Sequence, residues 1–275
     1  MSYNNKVYWE NLVGNTMQLR EVGWPEWTEA YNKARYKLTA KGTQDVLEKF
    51  IDVAPRNILE IGCGVGFWTD LILKRYPNSN YTGVDISKAT IQNLNERFHR
   101  DNIRFIHADV SLPFEQLDLA ITSVEYDLVV CFEVLLHIVK DEAWANAVSN
   151  ICKLNTKNGN IILSEPFFMF TKPYPENENS VNKVRTYGDY TKIFNQQTRK
   201  VVHIQARSYL LDNNFDFKSR FWQKAWNFFF KYYNRLLSIQ SEKLGFILGK
   251  IAYAFDSLYI KVNKIGHTCR IIVLK

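Results

Sequence analysis

The stretch Ile58-Leu59-Glu60-Ile61-Gly62-Cys63-Gly64-Val65-Gly66-Phe67-Trp68-Thr69 decides how the rest of the chain reads. An apolar run leads into three glycines at alternate positions, then into helical spacing. Glycine lets the backbone turn sharply and lets a ligand approach the main chain without meeting a Cβ. A dinucleotide turn would need glycine at position 67, which is Phe67. The pattern is therefore Gly-x-Gly-x-Gly, preceded by Glu60. A pyrophosphate wants helix-terminal N–H groups and no carboxylate at such a turn. A cationic ligand is suited by one.

Outward from this turn the chain alternates. Apolar runs recur at Tyr81-Thr82-Gly83-Val84, Ile103-Arg104-Phe105-Ile106, Asp127-Leu128-Val129-Val130-Cys131 and Ile161-Ile162-Leu163. Helical spacing fills 67–76, 87–99 and 141–154. Such alternation predicts an α/β fold with a mostly parallel sheet and helices on both faces. Before it, Trp9, Leu12 and Val13 suggest a short helix, and Trp27 to Ile51 a longer one. After it come a polar loop at 166–185, a helix near 187–197 and a strand near 200–209. Two helices within 212–264 and a closing strand at Thr268 to Leu274 complete the chain. Residues 1–50 read as helices capping the site, and 51–275 as one domain that includes the 212–264 insertion before the last strand.

Two more acids end strands. Asp85 follows the second strand, where a carboxylate can take both ribose hydroxyls. Asp109 follows the third, where it can accept from an adenine amine with Val110 against the ring. An S-adenosylmethionine ligand has no phosphate and carries an ammonium and a sulfonium, which Glu60 suits. With Glu60-Ile61-Gly62-Cys63-Gly64-Val65-Gly66, Val84-Asp85-Ile86-Ser87, Ala108-Asp109-Val110 and Tyr126 to Ile138, the sequence resembles the class I S-adenosylmethionine-dependent methyltransferases. The resemblance covers residues 40–165. It implies a Rossmann-like sheet of seven strands, the last antiparallel, and S-adenosyl-L-methionine as cofactor. Glu60, Gly62, Cys63, Gly64, Gly66, Trp68, Asp85, Ile86, Asp109, Val110, Phe132 and Glu133 are the expected cofactor contacts.

His137 follows the fourth strand. It is the candidate base for deprotonating an acceptor, or alternatively a hydrogen-bonding anchor for its loop. Glu165, Arg185, Tyr187 and Tyr190 are the polar groups expected near the acceptor, or else lid residues. Arg185 would bind an anion, and a tyrosine would stack on a ring. No Asn-Pro-Pro-Tyr-like tetrad follows the fourth strand, which argues against amino methylation of a nucleic-acid base. The reading is methyl transfer to a small molecule, with O-methylation of a sugar or surface glycan foremost. An RNA methyltransferase is the alternative, and a non-catalytic S-adenosylmethionine-binding module the third.

Cys63, Cys131, Cys152 and Cys269 form no CxxC pair, so neither a zinc site nor a redox motif is signalled. Cysteines set inside apolar or glycine-rich runs, as reduced ones are, and an N-terminus without an apolar run point to a cytoplasmic protein. The chain's net charge of +7 lies wholly in 211–275, which holds 11 Lys+Arg against 4 Asp+Glu. Within 217–235 stand nine aromatics and no acid. Trp222, Trp226, Phe229, Tyr233 and Leu236 follow helical spacing as one stripe. That stripe, at 217–240, suits internal packing, a homodimer or peripheral contact with the inner face of a membrane. The first insertion helix is expected to cap the acceptor side of the crevice.

Overall fold

The computed structural model describes residues 4–12, 17–171 and 181–275; Val13 and part of the loop expected at 166–185 lie outside the described residues. Among the described residues seven strands form one sheet: β1 (Asn57–Ile61), β2 (Asn80–Asp85), β3 (Ile103–His107), β4 (Tyr126–Phe132), β5 (Asn155–Pro166), β6 (Val201–Ala206) and β7 (Cys269–Leu274). Their order is β3-β2-β1-β4-β5-β7-β6. β1 to β5 run parallel, and β7 runs antiparallel to both β5 and β6. The order reverses between β1 and β4, so a crevice opens beyond their C-terminal ends.

Alternation along each strand sorts the core into two layers. Val129 and Cys131 of β4 and Ile272 and Leu274 of β7 face one layer. Leu128, Val130, Ile271 and Val273 face the other. Helices α1 (Asn5–Leu12) and α2 (Leu19–Val22) precede α3 (Glu29–Phe50). With α4 (Phe67–Arg75) and α5 (Lys88–Arg97), α3 covers the second layer. On the first lie α6 (Leu119–Thr122), α7 (Asp141–Leu154) and α8 (Tyr187–Gln196). Side-chain caps start several of these helices, as where Thr28 accepts from the Tyr31 amide and Ser87 from the Thr90 amide.

The insertion consists of α9 (Arg220–Leu237) and α10 (Glu242–Val262), between β6 and β7. α10 lies close on α3: a Cβ added at Gly249 would stand 2.9 Å from the Ala34 Cβ. Trp27 and Tyr31 of the N-terminal region join Trp226, Phe230 and Leu237 of α9 in a third core. Polar bonds fix the same contact, with Trp27 Nε1 donating to Asn234 Oδ1 at 2.7 Å and Tyr31 Oη 2.9 Å from Tyr233 Oη. Asp256 of α10 accepts from the amides of Tyr209, Leu210 and Leu211, rooting the insertion to the segment after β6.

Two expectations change here. The stripe buried by α9 is Trp226, Phe230 and Leu237, whereas Trp222 is 63% exposed. The first insertion helix does not cap the crevice. It packs on the N-terminal region, because its inward edge meets Trp27 and Tyr31.

Candidate functional site

The turn after β1 begins the site. Gly62, Gly64 and Gly66 have φ of 73°, 49° and 77°, left-handed values that side chains with a Cβ resist. At Gly62 space adds to this, since a Cβ would fall 2.2 Å from Val134 Cγ2. The Gly62 amide donates to the Val84 carbonyl at 2.7 Å, fastening the turn to the end of β2. There Asp85 accepts from the Gly64 amide through Oδ2 and from the Ser87 amide through Oδ1, both at 2.9 Å. A carboxylate on the turn's own N–H opposes a phosphate at that place. Burial raises the Asp85 carboxyl above its ordinary range, against the pull of those amides.

One crevice gathers Gly62, Cys63, Gly64 and Trp68 with Asp85 and Ile86. It also takes in Asp109, Val110, Phe132, Glu133 and His137. Asp109 uses Oδ1 for the Ser111 amide and hydroxyl, at 2.9 and 2.6 Å, and its Oδ2 has no partner among the described residues. Phe132 packs on Trp68, ring centroids 4.5 Å apart. From the N-terminal region Asn5, Trp9, Val22 and Tyr36 complete the wall, and the sequence singled out none of them as site residues.

Gly66 starts α4 behind the crevice wall. Glu60 lies beneath the turn, 1% exposed. Its Oε2 accepts from Tyr81 Oη and from Thr69 Oγ1. Its Oε1 is buried without a partner among the described residues. Burial lifts this carboxyl to about 8. A carboxyl raised in this way stabilises the fold below its unfolded value of about 4.3, and the contribution is lost as pH rises through 8. Wild-type protein should therefore lose stability between pH 5.5 and 8.5 relative to Glu60→Gln, as read by thermal unfolding at both values. Parallel pH dependences in the two proteins would show that Glu60 ionises as an ordinary carboxylate.

Glu133 follows β4 with φ of 58°, a left-handed position unusual for a residue with a side chain. Its carboxylate accepts from Arg35 of α3 and from Arg207 Nη2, the latter at 2.9 Å. Arg35 Nε also donates to Asp212 Oδ1 at 2.6 Å, and Arg207 Nη2 to Asp212 Oδ2 at 3.0 Å. Ser208 Oγ donates to Asp212 as well. Two guanidiniums and two carboxylates thus alternate, with Arg35, Arg207 and Asp212 nearly inaccessible. Burial would raise both acids, but the guanidiniums outweigh it, holding Glu133 below its usual range and Asp212 at about 2. Sequence reasoning missed Arg35, Arg207 and Asp212.

His137 lies on a one-turn helix, Leu135–His137. Its ring meets Trp9 edge-on at 4.7 Å, and its Nδ1 is 3.4 Å from the Val181 carbonyl. Burial pulls the imidazole down to about 4, so it is neutral at pH 7.

The four residues expected near the acceptor stand outside the crevice lining. Glu165 is fully buried; it accepts from the amides of Val134 and Leu135 at 2.8 and 2.9 Å and from Leu136 at 3.4 Å. Arg185 donates to the carbonyls of Ile138 and Val139 and to Asp141, with its guanidinium over Trp144. Both therefore hold the 134–141 loop that carries His137. Tyr190 is buried edge-on against Trp144, and Tyr187 stacks on Phe167.

Residues 58–159 match the protein family described as Methyltransferase domain. The chain is 34% identical over 103 residues to the malonyl-acyl-carrier-protein O-methyltransferase of Acetivibrio thermocellus, a match covering 37% of this chain and 33% of the relative. With the trans-aconitate 2-methyltransferase of an Acidovorax species it shares 34% identity over 67 residues, covering 24% and 25%. These matches span about a third of such curated relatives or less. The fold is shared with the O-methyltransferase of a Brevibacillus brevis trans-AT polyketide synthase, solved with S-adenosyl-L-homocysteine. The TM-score is 0.56 at 16% identity, over 86% of this chain and 71% of that one.

Proposed function

We propose that this chain, a member of the class I S-adenosylmethionine-dependent methyltransferases by its match over residues 58–159, methylates an oxygen of a small neutral acceptor. A hydroxyl of a sugar or surface glycan is the finer form of this reading. The charge of the crevice wall carries it. Asp85, Asp109 and Glu133 line the crevice, and among the described residues neither lysine nor arginine does. Arg35 and Arg207, the nearest cations to Glu133, are spent on Glu133 and Asp212. With Glu133 neutralised in that cluster, the acids left on the wall are Asp85 and Asp109, and an anionic acceptor would meet no lysine or arginine there to receive it. The basic residues of 211–275, which an RNA acceptor would call on, are absent from this wall among the described residues.

The donor set fits S-adenosylmethionine. Asp85 would take the ribose hydroxyls and the open Asp109 Oδ2 the adenine amine, whereas Glu60, buried beneath the turn, stands outside the crevice lining. The cofactor, when bound, supplies a methyl group on a positively charged sulfur. The protein's share is alignment and exclusion of water, from Trp68, Phe132 and Val134, and removal of the acceptor proton by the neutral His137.

Asp85→Ala should weaken cofactor binding by about 1.5–3 kcal/mol, the range for losing a charged acceptor. Asp109→Ala should do less, since it meets a neutral amine. Titration calorimetry decides, and unchanged affinity in Asp85→Ala would remove the ribose assignment. For the acceptor, the protein is incubated with methyl-labelled S-adenosylmethionine and glycan, metabolite, acyl-carrier and RNA fractions. Alkali-stable label in a glycan or neutral metabolite is expected. Label released by alkali as methanol would mean a carboxylate acceptor and would overturn the hydroxyl reading.

A further inference from the structure

The outer face of the α9–α10 pair is apolar and basic together. Among the described residues, every exposed large hydrophobic side chain except Val7, Val53, Leu112, Leu119 and Val202 lies between Phe221 and Ile265. At about 100° per residue, Phe228, Phe221, Tyr232, Leu236, Phe229 and Trp222 fall on one arc of α9, roughly 120° wide. This arc adjoins the edge buried by Trp226, Phe230 and Leu237. Arg220, Lys224, Lys231 and Arg235 occupy the next arc round, and all are exposed. α10 repeats the plan: Ile247, Ile251, Leu258 and Val262 share an exposed arc flanked by Lys243, Lys250 and Lys261. The acids of the two helices are engaged elsewhere. Glu242 accepts from the amides of Glu29 and Ala30, and Asp256 is buried. Where the two arcs converge, a groove of about 1050 Å³ opens beside Trp222, Phe229, Phe255 and Val262.

We propose that this face seats on an anionic lipid bilayer, with both helices lying in the plane of the interface. Their apolar arcs meet the acyl chains, and their cations meet headgroup phosphates. Charge complementarity selects this occupant. A second copy placed by two-fold symmetry would set the same lysines and arginines against each other, with no free acid to answer them. An anionic bilayer offers apolar depth and negative charge at once. Neither helix is long and apolar enough to cross a membrane, so the contact is one of lying on the surface. The proposal is independent of the methyl-transfer reading.

The test is flotation of the full chain with vesicles of phosphatidylcholine, alone or mixed with phosphatidylglycerol, at low and high salt. Binding to the mixed vesicles is expected, at least about tenfold weaker without the anionic lipid or in high salt. The combined variant Lys224→Glu, Lys231→Glu, Arg235→Glu changes exposed side chains only, so its melting should match wild type while its vesicle affinity falls at least about tenfold. Phe221→Ser with Phe228→Ser should weaken binding to every vesicle. Three results would each overturn the proposal: no binding to any vesicle, charge-variant binding as tight as wild type, or a dimer by light scattering that the serine variant dissolves.

Discussion

His137→Ala is expected to lower kcat by roughly 10²–10⁴ at neutral pH while cofactor affinity stays put. The expectation rests on placement. The ring lines the crevice beyond β4, in the loop that Glu165 grips by three amides and Arg185 by two carbonyls. Burial holds the imidazole near 4, so at pH 7 it is the neutral ring, which keeps one N–H and can take a second proton. Turnover limited by this group should be flat above about pH 5 and should fall as pH drops through 4 and the ring charges. Steady-state kinetics across pH, beside calorimetry on the same variant, separate chemistry from binding. Near-normal turnover in His137→Ala would reduce the ring to a packing partner of Trp9.

Asp212→Ala should lower stability by about 3–5 kcal/mol, the cost of breaking a buried ion pair from one side. The alanine would leave Arg35 and Arg207, both almost wholly buried, with Glu133 as the one acid of the cluster between them. At roughly 2–4 °C per kcal/mol this is a drop of about 6–20 °C in Tm. The pH dependence has a definite sign. The Asp212 carboxyl is held at about 2, so its contribution is present above the unfolded value of about 3.9 and is lost as pH falls toward 2. The gap between wild type and variant should therefore be widest near pH 7 and close in strong acid. A gap under about 1 kcal/mol at pH 7 would mean that the cluster is solvated and contributes little.

What the sequence disclosed was what is local in it. The turn from β1 into α4 reads from twelve consecutive residues, and the strands that lead to Asp85 and Asp109 read from their alternation. The buried ion cluster could not be read that way. Arg35 and Asp212 are 177 residues apart, and each looks like any charged side chain until folding removes it from water. Sequence position places Glu165, Arg185, Tyr187 and Tyr190 in or beside the polar 166–185 loop, but side-chain direction decides, and Glu165 and Arg185 turn toward the His137 loop while Tyr190 turns toward Trp144. On α9 the periodicity was plain and its phase was not. The apolar sector is wider than the contact it makes, and spacing alone cannot tell which edge of a wide sector meets the protein.

The ion cluster also bears on how the molecule comes apart. Arg35 belongs to the N-terminal helices, Glu133 to the middle of the sheet, and Arg207 and Asp212 to the threshold of the insertion. No one of these regions can detach without stranding charge that the other two keep dry. The third core, shared by Trp27, Tyr31 and α9, ties the same regions by apolar contact. Heat or denaturant must therefore release the N-terminal helices, the sheet and the insertion together, as one cooperative unit and not as a domain shedding its ornaments.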